Sequence, residues 1–141
     1  MEDALTTVQV RETEIQDFNM KNEFNNLNWH DAELQSIRID RSAPGEKDQV
    51  ILVICWLDEK RSEVTFHDCY EFNAQMNFGI IADEAIRDAE YTENSEKLNE
   101  IRRTWKKVGV NLSELGQYQI RTNSTNSSLM IYACDVWIKN I

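Results

Sequence analysis

Two histidine–aspartate pairs are the residues whose chemistry stands out in this chain. The pairs are His30-Asp31 and His67-Asp68, and they contain both histidines of the 141 residues. Histidine and carboxylate side chains bind zinc and manganese, and a metal site commonly needs three or four such ligands. These four residues would form one if the fold brings the pairs together, as in a small metal-dependent enzyme or ligand-binding domain. The alternative is structural: each aspartate caps a turn at a strand end, and each histidine is half buried.

Nucleophilic catalysis has weaker support in the sequence. Cys69 lies two residues after His67, a spacing that places both on one face of a regular strand. A catalytic cysteine also needs a lowered thiol pKa and an oxyanion site, and no glycine-rich segment follows this one. The chain carries no Gly-x-Ser-x-Gly motif, phosphate-binding loop or dinucleotide fingerprint. We therefore expect a non-enzymatic protein with no catalytic residue and no cofactor.

The charge of the chain points to a particular class of partner. Lysine and arginine number 15 and aspartate and glutamate 25, a net charge of −10. Such a chain repels nucleic acid and anionic membranes, so a basic protein is the expected partner. The densest acidic segment is 83–100, which is either a solvated face or a contact surface. Its seven acidic residues are the candidate partner-binding set: Asp83, Glu84, Asp88, Glu90, Glu93, Glu96 and Glu100.

The apolar pattern of residues 34–68 predicts three antiparallel strands. Ile37 and Ile39 alternate with polar residues, which indicates a strand with one wet face. Residues 50–57 are apolar on both faces and rich in β-branched side chains, as in a central strand. Val64 and Phe66 share one face of a third strand. Pro44-Gly45 marks the turn between the first two.

The second half of the chain predicts two helices and a closing hairpin. The first helix is indicated by helical spacing of Ala82, Ala85, Ile86 and Ala89. The second begins after a capping Ser95 and ends at Gly109. Alternating residues 118–121 and the apolar run 129–138 flank a polar loop over 123–127. The predicted fold class is therefore α+β, with an antiparallel sheet of about five strands and two helices between the third and fourth.

The length matches a single domain over residues 1–141, with residues 1–28 loosely assigned as an N-terminal arm. Val8 and Val10 suggest a short strand in this arm, and Met20, Phe24 and Leu27 a weak helix. No charged-then-apolar leader begins the sequence, and no apolar run reaches the ~18 residues of a membrane span. We therefore expect a cytoplasmic protein.

The opening of the predicted sheet resembles several small bacterial families of unknown function. The resemblance covers roughly residues 28–90 and is carried by Asn28-Trp29-His30-Asp31, by the strand that follows, and by Val64-Thr65-Phe66-His67-Asp68-Cys69. Those families have α+β domains, and some are predicted immunity proteins of polymorphic toxin systems. The resemblance implies a protein that binds and neutralises a toxin. The charge of the chain suggests that its acidic face would make the contact. Our other hypotheses are the metal-dependent domain and a structural homodimer, so the chain is a monomer or a homodimer.

Overall fold

Six antiparallel strands form one sheet in residues 20–141, the part of the chain that the computed structural model describes. One α-helix, α1, covers Glu96–Lys106, and a 3₁₀ helix covers Lys21–Asn26. The order across the sheet is β1-β2-β3-β6-β5-β4. The strands are β1 (Glu33–Ala43), β2 (Lys47–Cys55), β3 (Arg61–Gln75), β4 (Ile86–Thr92), β5 (Gly116–Thr122) and β6 (Ser128–Asn140).

The predicted α+β fold class is wrong, because residues 20–141 are mostly β-strand, and the strand count and the first helix also differ from the prediction. The sheet has six strands rather than five, and the described residues contain a single α-helix, which lies between β4 and β5. The segment predicted as the first helix is a loop followed by β4. A bulge between Ile86 and Asp88 shifts the alternation of β4, so that Ile86 and Ala89 both contact the core. This three-residue spacing on a bulged strand imitates the apolar stripe of a helix.

The sheet curls until its two edge strands meet at one end. Glu33 at the start of β1 forms an antiparallel bridge with Ala85, just before β4. Three backbone hydrogen bonds join the same segments: Asp31 N–H donates to the Ile86 carbonyl at 2.8 Å, Leu34 N–H to the Glu84 carbonyl at 3.0 Å, and Ile86 N–H to the Ala32 carbonyl at 2.7 Å. Irregularities in β1, β3 and β4 increase the local bend. The curled sheet thereby encloses one face, which holds the main core.

The segment before β1 supplies part of that core. Phe24 of the 3₁₀ helix is fully buried, and its ring lies 4.7 Å from Trp29 and 5.1 Å from Tyr118. The weak helix predicted here is thus a short 3₁₀ helix, and its aromatic residue lies in the core. The strand predicted at Val8 and Val10 lies outside the described residues.

Helix α1 packs on the outer face of the sheet and forms a second, smaller core. Its buried residues Leu98 and Ile101 contact Tyr132 of β6. The predicted N-cap is confirmed, because Ser95 Oγ accepts a hydrogen bond from Leu98 N–H at 3.0 Å. The predicted stop is also confirmed: Gly109 follows the helix with a φ of 87°, a left-handed conformation that favours glycine.

Candidate functional site

The structure places the two histidine–aspartate pairs in different surroundings. His30 lies before β1, and its Nδ1–H donates to the Arg87 carbonyl at 3.1 Å. His67 lies on β3, where its Nδ1 accepts from Gln49 Nε2 at 3.2 Å and its ring contacts Trp137 at 4.8 Å. Within residues 20–141, no group of three or more histidine, cysteine, aspartate or glutamate side chains could hold a metal ion. The described residues therefore do not form the metal site predicted as an alternative.

The aspartates of both pairs share a backbone role instead. Asp31 has a φ of 66° in the turn before β1, and Asp68 has a φ of 54° within β3. Aspartate tolerates this left-handed conformation better than most residues with a side chain, because its short polar group can bond locally. The repeated dipeptide thus marks two places where the backbone turns sharply.

The turn at Asp68 also separates His67 from Cys69. Cys69 packs against the main core, and its Sγ–H donates to the Phe66 carbonyl at 3.3 Å. The shared face predicted for the two side chains is therefore wrong, because the left-handed residue between them breaks the strand alternation. Burial raises the pKa of the Cys69 thiol to about 12. The same cause, desolvation, lowers the pKa of His67. Both shifts oppose a thiolate–imidazolium pair.

The acidic segment 83–100 does not form the adjoining helices that the sequence predicted. Three of its seven candidate residues already bind other side chains. Glu84 accepts hydrogen bonds from the hydroxyls of Thr125 and Ser127. Asp88 pairs with Arg121 at 2.9 Å, and this hydrogen bond holds the pKa of its carboxyl below the ordinary value. Glu100 pairs with Lys97 at 3.3 Å.

The other four candidates are exposed and form no ion pair with residues 20–141. They run from the loop before β4, along that strand, to the first turn of α1. We call this set the acidic edge: Asp83, Glu90, Glu93 and Glu96. An exposed carboxylate without an ion-pair partner keeps its charge available to another molecule. These residues are therefore the part of the acidic segment best suited to contact a basic protein.

A more unusual surface lies directly before the acidic edge. The loop between β3 and β4 exposes three large apolar side chains, Phe78 at 85%, Ile80 at 52% and Ile81 at 105% of their full areas. We call these three residues the apolar tip. Gly79 between them has a φ of 94°, so the turn itself favours glycine. Single exposed apolar side chains are common on protein surfaces, whereas a cluster of large ones often marks a binding surface.

The loop is fixed at both ends to the turn between β5 and β6. At its start, Asn77 Nδ2 donates to the Thr125 and Asn126 carbonyls at 2.8 and 3.1 Å, and Asn77 N–H donates to Ser127 Oγ at 3.0 Å. At its end, Glu84 accepts from the Thr125 and Ser127 hydroxyls. Thr125 and Ser127 are 5% and 2% exposed. We call Asn77, Glu84, Thr125 and Ser127 the loop base.

Sequence reasoning missed both the tip and the base. Phe78-Gly79-Ile80-Ile81 has neither helical nor strand periodicity, and this absence in an apolar segment is the signal that could have indicated an exposed loop. The polar run 123–127 was predicted only as a connection, although it supplies the hydroxyls that hold the loop. Glu84 was predicted as a contact residue, whereas its carboxylate is bonded inside the loop base.

Comparison with known proteins adds no relative. No family model matches the sequence, and no curated protein matches it. Within residues 20–141, no helix is long and apolar enough to cross a membrane. Function is therefore inferred from the geometry of the tip, the base and the edge.

Proposed function

We propose that this chain is a non-enzymatic protein-binding domain whose partner docks on the apolar tip and the acidic edge. The observation that carries the proposal is the exposure of Phe78, Ile80 and Ile81 on a loop fixed at both ends. A few large apolar residues commonly supply most of the affinity of a protein interface. Anchors that are already ordered lose less conformational entropy on binding.

The two parts of this surface have different roles in the proposal. The apolar tip inserts into an apolar cleft of the partner and slows dissociation, because buried contacts mainly set the dissociation rate. The acidic edge attracts a basic rim around that cleft and speeds association. The net charge of −10 extends the same attraction over the approach.

A toxin neutralised by this chain is the partner that we propose. The resemblance at residues 28–90 suggests an immunity protein, and a basic toxin with an apolar cleft would fit the surface. A gene for a large secreted toxin next to this one would favour this partner over other basic proteins. A neighbourhood without such a gene would favour a different partner.

Capture from the source organism tests the docking surface. The tagged wild-type chain should capture a partner protein. The triple variant Phe78→Ser, Ile80→Ser, Ile81→Ser should bind that partner about 100-fold more weakly, since each anchor removed costs roughly 1 kcal/mol or more of binding free energy. Leu57→Ser is the matched control, because Leu57 is 67% exposed but lies in the turn between β2 and β3. A partner retained equally by the triple variant would contradict the proposal.

Association kinetics test the acidic edge separately. Glu90→Lys with Glu93→Lys should slow association at low salt and leave dissociation nearly unchanged. Rising salt should slow the wild-type rate as the Debye length falls from about 10 Å at 0.1 M to about 3 Å at 1 M. Glu46→Lys with Glu59→Lys makes the same change in net charge at two other turns. Equal slowing by both pairs would show that total charge, rather than this edge, attracts the partner.

The same variants address the homodimer hypothesis, since an exposed apolar tip can also contact a second copy. Sedimentation velocity of the wild type over a wide concentration range would reveal a dimer. A dimer lost in the triple tip variant would replace the heterologous partner with self-association.

A further inference from the structure

A groove lies apart from the surface described above, and no residue of the apolar tip or the acidic edge lines it. The groove has a volume of about 540 Å³ and separates the tip of the β1–β2 hairpin, the bulged part of β3 and the last turn of α1. Its principal side chains come from segments far apart in the sequence: Ile39, Arg41, Asp48, Asp68, Tyr70 and Trp105.

Aromatic rings form one wall of the groove. Tyr70 and Trp105 meet edge to face, with ring centroids 5.0 Å apart and planes at 79°. Trp105 is 37% exposed although it lies on the helix that covers the sheet. The electron-rich faces of tryptophan and tyrosine attract cations, and arginine does this most often among side chains.

Carboxylates give the groove its charge. Asp48 is already paired with Arg41 at 2.6 Å, and Glu71 is paired with Lys97 at 3.4 Å. Asp68 is exposed, and its carboxylate makes no hydrogen bond or ion pair with any residue of 20–141. Its left-handed φ of 54° is uncommon within a strand, and such conformations concentrate at functional sites. The groove thus combines aromatic faces with one carboxylate that no cation neutralises.

We infer that this groove binds an arginine side chain presented by another protein. A guanidinium can stack on an aromatic face and, at the same time, donate two parallel hydrogen bonds to the Asp68 carboxylate. A lysine ammonium is a strongly hydrated point charge and lacks the stacking surface. The excess of carboxylates over the single lining guanidinium, Arg41, excludes an anionic occupant. This site is independent of the proposed function, because it involves neither the apolar tip nor the acidic edge.

Titration with short blocked peptides tests the inference without any partner. The probe is a five-residue peptide, blocked at both ends, with one central arginine between alanine and glycine residues. Its binding should shift the NMR signals of the Trp105 indole N–H and of the backbone amides of 68–72. The matched peptide with citrulline, which has the same shape without the charge, should leave them unchanged.

Two variants assign the binding to the groove. Asp68→Asn should weaken binding about fivefold, because asparagine also adopts the left-handed conformation and only the charge is lost. Trp105→Leu should weaken it by a similar factor through the lost stacking. Asp83→Asn, which removes a carboxylate outside the groove, should bind as the wild type does. Equal shifts with the citrulline peptide, unchanged affinity in Asp68→Asn, or equally tight binding of a lysine peptide would each overturn the inference.

Discussion

Polar and apolar groups have opposite exposure in the interior of the sheet and in the loop between β3 and β4. In the interior, aromatic rings such as Phe24 and Phe66 are fully buried around Tyr118, whose hydroxyl has no hydrogen-bond partner in the described part of the chain. In the loop, the large apolar side chains are exposed, and buried hydroxyls form a bonded cluster with a carboxylate. The interior is arranged for packing, and the loop for presenting a surface.

This difference separates what stabilises the fold from what serves another molecule. Burying one isoleucine side chain contributes roughly 1.5–3 kcal/mol, so a loop that exposes two forgoes much of this stabilisation. The hydrogen bonds of the loop base keep the exposed residues in one place. Folding alone does not require a loop that exposes large apolar side chains and is also held in place by buried hydrogen bonds. Substitutions in the two regions should therefore have opposite consequences.

Among substitutions in the loop and the turn that anchors it, the largest effect is expected at the loop base. Thr125→Val preserves the shape of a buried side chain but removes the hydroxyl that bonds Glu84, Thr122 and Ser127. Losing these three hydrogen bonds from a buried cluster should lower the free energy of unfolding by about 2 kcal/mol, as measured by denaturant titration. Ser124→Ala, at an exposed position of the same turn, should change it by less than about 0.5 kcal/mol.

Hydrogen exchange should show the same loss locally. The amide of Asn77, which donates to Ser127 Oγ, should exchange faster in Thr125→Val than in Ser124→Ala. Equal stability of the two variants would mean that the hydroxyl cluster does not hold the loop.

The sequence predicted regular elements better than irregular ones. Strands β1, β2, β5 and β6 and the caps of α1 follow from local patterns, because alternation and capping act between near neighbours. Strand β4 was predicted wrongly because one extra residue at its bulge reverses every side chain beyond it, and the faces of His67 and Cys69 because the left-handed Asp68 lies between them. The groove needed tertiary structure, since Ile39, Asp68 and Trp105 meet only after folding.

A smaller effect of opposite sign is expected in the interior. Tyr118 is fully buried and its hydroxyl has no hydrogen-bond partner among residues 20–141, which leaves the desolvation cost of that group uncompensated there. Burial also raises the pKa of Tyr118, so the group stays neutral. Tyr118→Phe should retain the contacts with Phe24 and Phe66 and raise the free energy of unfolding by about 1 kcal/mol. Thermal and denaturant unfolding should both report the gain, and a loss would show that a bound water satisfies the hydroxyl.

The smallest effect on stability is expected at the apolar tip. Ile81 is fully exposed, so Ile81→Ala removes no buried area and should change the free energy of unfolding by less than about 0.5 kcal/mol. The same substitution at Ile120, which is fully buried in β5, should cost about 2–5 kcal/mol through lost contacts and the cavity left behind. Denaturant unfolding of the purified chain, without a partner, would measure both changes. A large cost at Ile81 would show that its side chain packs within the folded chain, and the tip would then be part of the core rather than a surface for another protein.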